Sequence, residues 1–207
     1  MIFEEGAFYH VYTQGNNRRK VFFSRRNYKF FYEKIRKHVY PYCDILAYCL
    51  MPNHFHILIM ANNETVKTKK IGKHKIEKNI LSESVRVMLS SYSQAINKQE
   101  GFSGSLFRQN IKFKKLGNDN YWGVSKRYYN HNDVYTCLSY IHQNPVKAHL
   151  VKRMEDWEFS SFRDYASLRE DHMINKELAY EVANLDKDNF LDQAYSDLPD
   201  DIIERIF

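Results

Sequence analysis

The sequence predicts an α+β fold: a ferredoxin-like antiparallel sheet with element order βαββαβ, helices on one face, and a C-terminal helical extension. The first observation is that apolar and polar residues alternate from 8 to 14, which is typical of a strand with one buried face. The second is a pair of apolar runs, 44–50 and 54–60, joined only by Met51-Pro52-Asn53, a connector short enough for an antiparallel hairpin. The third is that one segment with helical spacing of apolar residues follows the first strand and another follows the hairpin.

The helices are predicted at 27–39, at 80–98 and from Val134 onward, because apolar residues recur there at intervals of three and four. A further strand is predicted within 101–116, between the second and third helices. It is expected to carry a basic stripe formed by Arg108, Lys112, Lys114 and Lys115.

Two segments are predicted to connect these elements. The first, 67–78, is rich in lysine and is expected to be mobile, and 117–130 is expected to be a loop. We expect residues 1–166 to form one domain and residues 167–207 to form an acidic helical extension.

The charge is divided unevenly along the chain, although the net charge of the 207 residues is only +6. Residues 1–153 contain 26 Lys and Arg against 10 Asp and Glu, whereas residues 154–207 contain 5 against 15. A strongly basic body indicates a polyanionic partner, because lysine and arginine release counterions when they neutralise phosphates. Aromatic residues, 15% of the chain, are interleaved with the basic ones, which suits single-stranded nucleic acid. A solvated basic surface over an aromatic core is the alternative.

The sequence predicts a cytoplasmic protein without a membrane span. Its longest apolar run, 57–61, is far too short to cross a bilayer, and the first residues lack the features of a signal peptide. Three scattered cysteines fit free thiols in a reducing compartment.

His54 and His56 are the first candidate site residues. They are two positions apart on a predicted strand and therefore share one face, from which two imidazoles can converge on one cation. Imidazole does not by itself select a metal, and a hard ion would require an oxygen ligand as well. The alternative is a pair of histidines that only pack.

Tyr140 is the second candidate, and it lies at the flank of a predicted helix. Asn144 follows one turn later, so a tyrosine nucleophile and an amide oxygen ligand would lie side by side. Alternatively, Tyr140 is a packed residue at the rim of the core, and Asn144 caps a new helical turn that starts at Pro145. The apolar face of this helix consists of Val134, Cys137, Leu138 and Ile141.

The segment from Tyr48 to Leu58 closely resembles the HUH signature of bacterial single-tyrosine transposases. The segment 140–148 resembles the tyrosine motif of the REP-associated branch of that family. The similarity extends over residues 7–165, in the expected order. Further matching segments are 9–18, 104–109 and 157–161.

This resemblance implies a nuclease core in which His54 and His56 bind a divalent ion, Mg²⁺ or Mn²⁺. Tyr140 would attack single-stranded or hairpin DNA, forming a 5′-phosphotyrosine and releasing a 3′-hydroxyl. Asn144 would complete the metal site. Insertion-sequence members have glutamine at that position, and Gln143 is adjacent here.

The candidate DNA contacts are Asn16 and Arg18, in a loop after the first strand, together with Arg108. Lys147 occupies a usually basic position of the tyrosine motif and is expected to contact phosphate. The family includes dimers with shared active sites as well as monomers, so a homodimer is one of the two oligomeric states compatible with the sequence.

Other functions are compatible with the sequence. One is an inactive relative that only binds structured single-stranded nucleic acid, and another is an interaction protein in which the histidines only pack. A replication initiator or relaxase would carry a different motif order or paired tyrosines. Tyr128-Tyr129 is a possible second nucleophile site, but nothing pairs it with a ligand at the required spacing.

Overall fold

The computed structural model describes residues 2–117, 131–196 and 198. Its main elements are β1 (Phe8–Gln14), α1 (Arg25–His38), β2 (Asp44–Met51), β3 (His54–Met60), β4 (Thr68–Ile71), β5 (Ile76–Asn79), α2 (Ile80–Glu100), β6 (Lys112–Lys115), α3 (His131–Lys147), α4 (Phe162–Tyr165), α5 (Lys176–Val182) and α6 (Phe190–Ala194). No helix in this part of the chain combines the length and the apolar character that crossing a bilayer requires.

Four of the strands form one antiparallel sheet in the order β2-β3-β1-β6, which confirms the predicted ferredoxin-like arrangement. The hairpin predicted from the short connector is β2–β3, in which Met51 pairs with His54. On its other side β3 pairs with β1, and Gln14 lies opposite His54. The start of β3 therefore lies at the end of β1 and beside the hairpin turn.

Helices cover both faces of this sheet. The rings of Phe55 in β3 and Phe31 in α1 are 5.0 Å apart, and Tyr92 of α2 lies 4.8 Å from Phe31. The two helices of the βαββαβ unit thus share one face, as predicted. The later helix α3 covers the opposite face, where Tyr140 lies against His56.

Two details of the prediction are wrong. The segment predicted as a mobile connector forms the separate two-stranded ribbon β4–β5. Its β-branched Thr68, Ile71 and Ile76 favour strands, and Gly72 adopts a φ of 75° at the turn. Arg108 lies outside the strand predicted to contain it, because β6 begins only at Lys112. The loop predicted at 117–130 falls almost entirely outside the described residues.

The outer edge of β2 is covered by the chain that follows α3. The Trp157 indole donates to the carbonyl of Leu50 over 3.0 Å, and the Leu50 amide donates to the carbonyl of Phe159 over 2.9 Å. The amide of Ser161 donates to the carbonyl of Tyr48 over 2.9 Å. Residues 157–161 therefore act as a partial fifth strand that satisfies the backbone groups of an otherwise open edge.

His142 of α3 holds this segment in place. Its Nε2 lies 2.8 Å from Oγ of Ser161, and that hydroxyl donates to the carbonyl of Tyr48. His142 is 1% exposed, and burial lowers its pKa to about 3. The imidazole is therefore neutral in the folded protein and donates its Nε2 proton to Ser161.

We expect this histidine to make folding sensitive to acid. An unfolded histidine titrates near pH 6.5, so the unfolded state binds more protons than the folded state between about pH 6.5 and pH 3. The contribution of His142 to the free energy of unfolding is complete above this range. It decreases as the pH falls, and at pH 5 it is smaller by about 2 kcal/mol. Urea denaturation at pH 7 and pH 5 should show a smaller loss of stability for His142→Gln than for the native chain.

His74→Gln is the matched control, because His74 is exposed in the turn of the ribbon. Its acid sensitivity should equal that of the native chain. An equal loss of unfolding free energy in the His142→Gln and native proteins would contradict the role given to His142.

Candidate functional site

The structure brings the predicted nucleophile and the predicted histidine pair together. His54 and His56 lie on the face of β3 that α3 covers, and their ring centroids are 4.9 Å apart. The ring of Tyr140 meets that of His56 edge to face, with the centroids 5.6 Å apart. Residues almost 90 positions apart in sequence thus form one cluster between the sheet and α3.

Asn144 joins this cluster. Its side chain lies close enough to the imidazole of His54 and to the phenol of Tyr140 to shift the pKa of each. Its Nδ2 also donates to the backbone carbonyl of Tyr140 over 2.9 Å, so Oδ1 is the amide atom that can act as a ligand. Helix α3 continues through Pro145 to Lys147, so Asn144 does not begin a new helix.

Gln143, the alternative amide, points elsewhere. It is 8% exposed, and its Nε2 donates to the carbonyls of Ala194 and Ser196, each over 3.0 Å. It therefore attaches α6 to α3. Of the two neighbouring amides, Asn144 is the one that lies beside His54 and Tyr140.

His10 belongs to the cluster, and the sequence analysis did not identify it. Its Nε2 lies 2.8 Å from Nδ1 of His56, and the two rings stack with an interplanar angle of 13°. Both residues are buried, and burial lowers the pKa of His10 to about 3 and that of His56 well below its usual range. Since both rings are neutral, one nitrogen carries the proton and donates it to the other. The strand alternation places His10 and Tyr12 on one face, but only the pairing of β1 with β3 shows that this face adjoins His56.

His54 is held from the other side by its chain neighbour. Its Nδ1 lies 2.6 Å from Oδ1 of Asn53, and Nδ2 of Asn53 donates to the carbonyl of Arg18 over 3.2 Å. Burial lowers the pKa of His54 to about 4, against an opposing hydrogen bond from Asn144. Because Nδ1 of both His54 and His56 is engaged, each imidazole would bind a metal through Nε2.

The side chains of the cluster that could bind a metal ion are uncharged. Within the described ranges, no group of three or more His, Cys, Asp and Glu side chains could hold a metal ion. The converging groups are two imidazoles, an amide and a phenol. Buried neutral imidazoles and an amide oxygen fit Mn²⁺, whereas Mg²⁺ would take more of its ligands from water or phosphate. Burial raises the pKa of Tyr140, while the hydrogen bond from Asn144 lowers it.

Three of the predicted DNA contacts lie at the same end of the sheet as His54. Asn16 and Arg18 are exposed in a short 3-10 turn that follows Gln14, the residue paired with His54. The amide of Arg108, which is also exposed, donates to the carbonyl of Gln14 over 2.8 Å. These side chains therefore border one end of the cluster.

The backbone of this turn depends on Gly15. A Cβ at that position would overlap the carbonyl oxygen of Arg19, so any larger residue would push the turn open. Asn17 and Arg18 both have positive φ, 52° and 58°. The turn is thus compact, and its polar side chains project outward.

Lys147, the fourth predicted contact, is exposed at the end of α3. It follows Tyr140 by seven residues and Asn144 by three, so the three side chains share one side of the helix. Its charge lies at the helix C-terminus, where the dipole favours cations.

No family model matches the chain, and no curated protein matches it either. Among solved structures, it is similar to a REP-associated tyrosine transposase bound to a REP hairpin. The TM-score is 0.54 and the identity 17%, and the match covers 81% of this chain and 83% of the other. At this level of identity the likeness concerns the fold, and the chain has the fold of that transposase.

Proposed function

We propose that the protein is a transposase-type enzyme that cleaves and rejoins single-stranded or hairpin DNA through a 5′-phosphotyrosine at Tyr140. The observation that carries this proposal is that Tyr140 and Asn144 of α3 meet His54 and His56 of β3. These are the residues that the resemblance to HUH transposases assigns to one site. The hairpin bound to the structural neighbour supports hairpin DNA as the substrate class.

In the proposed reaction the Tyr140 oxygen attacks a backbone phosphorus. The phenol gives up its proton as its oxygen bonds to phosphorus. The bond from phosphorus to the 3′ oxygen breaks, and the 3′ oxygen takes up a proton, so no proton is gained or lost overall. One phosphodiester is exchanged for another, so no nucleotide hydrolysis is required. The freed 3′-hydroxyl can attack the phosphotyrosine in return, on the same strand or on another.

The surroundings of Tyr140 explain why it needs assistance. Burial raises the pKa of this phenol, and a neutral phenol is a weak nucleophile near pH 7. The neighbouring Asn144 amide acts in the opposite direction and lowers the pKa of the phenol. A divalent ion held by His54, His56 and Asn144 would supply charge that polarises the scissile phosphate.

The DNA is expected to approach along the basic end of the site. The exposed Arg18, Arg108 and Lys147 supply positive charge, and Asn16 supplies hydrogen-bonding groups. Contacts to phosphate position a strand without reading its sequence. A homodimer and a cytoplasmic location remain predictions from the sequence.

Replacing the nucleophile tests the proposal directly. With a labelled hairpin oligonucleotide and Mn²⁺, Tyr140→Phe should lower cleavage at least about 10³-fold and abolish the covalent adduct. Tyr135→Phe, on the same helix, is the matched control, because its hydroxyl donates to the carbonyl of Gln193. Adduct formation is followed on denaturing gels. An adduct that persists in Tyr140→Phe would exclude this residue as the nucleophile.

The ligand assignment can be tested apart from catalysis. By calorimetry, His56→Ala and Asn144→Ala should each weaken Mn²⁺ binding at least about tenfold, because each removes a proposed ligand. Gln143→Ala should leave the Kd for Mn²⁺ unchanged, since that amide contacts α6. The assignment is wrong if Gln143→Ala weakens binding and Asn144→Ala does not.

His10 is expected to act as a positioning residue for His56. Removing its ring nitrogen in His10→Phe should weaken Mn²⁺ binding by about 10–100-fold, because the orientation and tautomer of His56 would no longer be fixed. His10→Gln offers an amide to the same nitrogen and should recover part of the affinity. Denaturation curves of both variants separate this effect from a loss of folding. Equal Kd values for Mn²⁺ in His10→Phe and the native protein would refute the positioning role.

A further inference from the structure

The β4–β5 ribbon carries a concentration of positive charge. Between residues 67 and 79 the sequence has six lysines and a single acidic residue, Glu77. All six are exposed: Lys67, Lys69, Lys70, Lys73, Lys75 and Lys78. Lys67 pairs with Glu64, and Lys78 lies 3.8 Å from Glu83. The other four form no ion pair with any carboxylate in the part of the chain that the structure describes.

The pairing of the strands places like charges side by side. Lys69 lies directly opposite Lys78 in the ribbon. Such a pair opposes strand association, and a two-stranded ribbon is only marginally stable without further support. Glu83 of α2 offsets part of this repulsion, but it is shared with Arg86 at 2.5 Å. The ribbon thus has more positive charge than its neighbouring carboxylates neutralise, and a polyanionic partner would offset the remainder.

The ribbon is joined to the body of the protein through Asn79. Asn79 ends β5 and also caps α2, where its Oδ1 accepts a hydrogen bond from the amide of Ser82 over 2.9 Å. Its Nδ2 donates to the carbonyls of Thr65 and Lys67. The strand passes into the helix without a linker, so the charges are presented at a fixed place on the protein.

The composition of the ribbon distinguishes among anionic partners. Residues 67–79 contain no Phe, Tyr or Trp, whereas proteins that hold single strands use aromatic rings to stack on bases. A two-stranded β-ribbon fits the major groove of B-DNA, and its lysines can reach the phosphates on either side. We propose that the β4–β5 ribbon is a second DNA-binding surface, which contacts the phosphates of double-stranded DNA.

The ribbon lies away from the candidate catalytic cluster. His54 is at the start of β3, and the ribbon follows the other end of that strand, beyond Met60. A strand of this length spans about 20 Å, which corresponds to about six base pairs of duplex. The ribbon is thus placed to bind duplex outside the reacting region, such as a long hairpin stem. A role for the ribbon in holding the stem of a reacting hairpin rests on the proposed function. Binding of the ribbon to a plain duplex does not depend on that function.

The test measures binding to a 20-base-pair duplex by fluorescence anisotropy over a series of KCl concentrations, with Tyr140→Phe in every protein to prevent cleavage. Adding Lys69→Gln, Lys70→Gln and Lys73→Gln should weaken duplex binding at least tenfold at low salt. The slope of log K against log salt should fall in magnitude by about 3, one unit for each phosphate contact. Affinity for an unpaired 12-nucleotide strand should stay the same.

The matched control removes three exposed charges from α1, with Arg26→Gln, Lys29→Gln and Arg36→Gln, and should retain the duplex affinity. An unchanged duplex Kd and salt slope in the ribbon variant would overturn the proposal. So would an equal loss of duplex affinity in the control variant. Cleavage is measured separately, with Tyr140 intact. A failure to cleave DNA in that assay would refute the proposed function and leave the duplex-binding result standing.

Discussion

The position of β3 between β1 and β2 is the constraint on which the candidate site depends. Successive side chains of a strand point to opposite faces, so β3 supplies Phe55 to the core beneath α1 and its two histidines to the face beneath α3. A shift of the pairing by one residue would exchange these two sets. The apolar packing of Phe55 thus fixes which way His54 and His56 point.

The site is built from groups that are neutral until a substrate arrives. Buried imidazoles, a phenol and an amide cost less to remove from water than charged groups would. A divalent cation and a DNA phosphate would bring opposite charges into the same space and compensate each other there. The basic residues lie mainly outside the cluster, on exposed surfaces, where they would attract an anionic partner without requiring burial of their own charge.

The sequence predicted the elements that depend on local pattern and missed those that depend on distant pairing. Alternation and helical spacing indicated the strands, the β2–β3 hairpin and the flank position of Tyr140. The contact of His10 with His56 requires knowing that β1 lies beside β3, which no local pattern states. The choice between Gln143 and Asn144 depends on where α6 packs. The lysine density of the β4–β5 ribbon suggested mobility, although its β-branched residues favour a strand pair.

The hydrogen bonds of residues 157–161 along β2 restrict how two copies of this chain can associate. A sheet continuing from one molecule into the next through β2 would first have to displace that segment. Ser161 is anchored to His142, two residues from Tyr140 on α3, so the displacement would disturb the helix that carries Tyr140. Any symmetric pair that preserves the cluster must therefore use a surface other than the outer edge of β2.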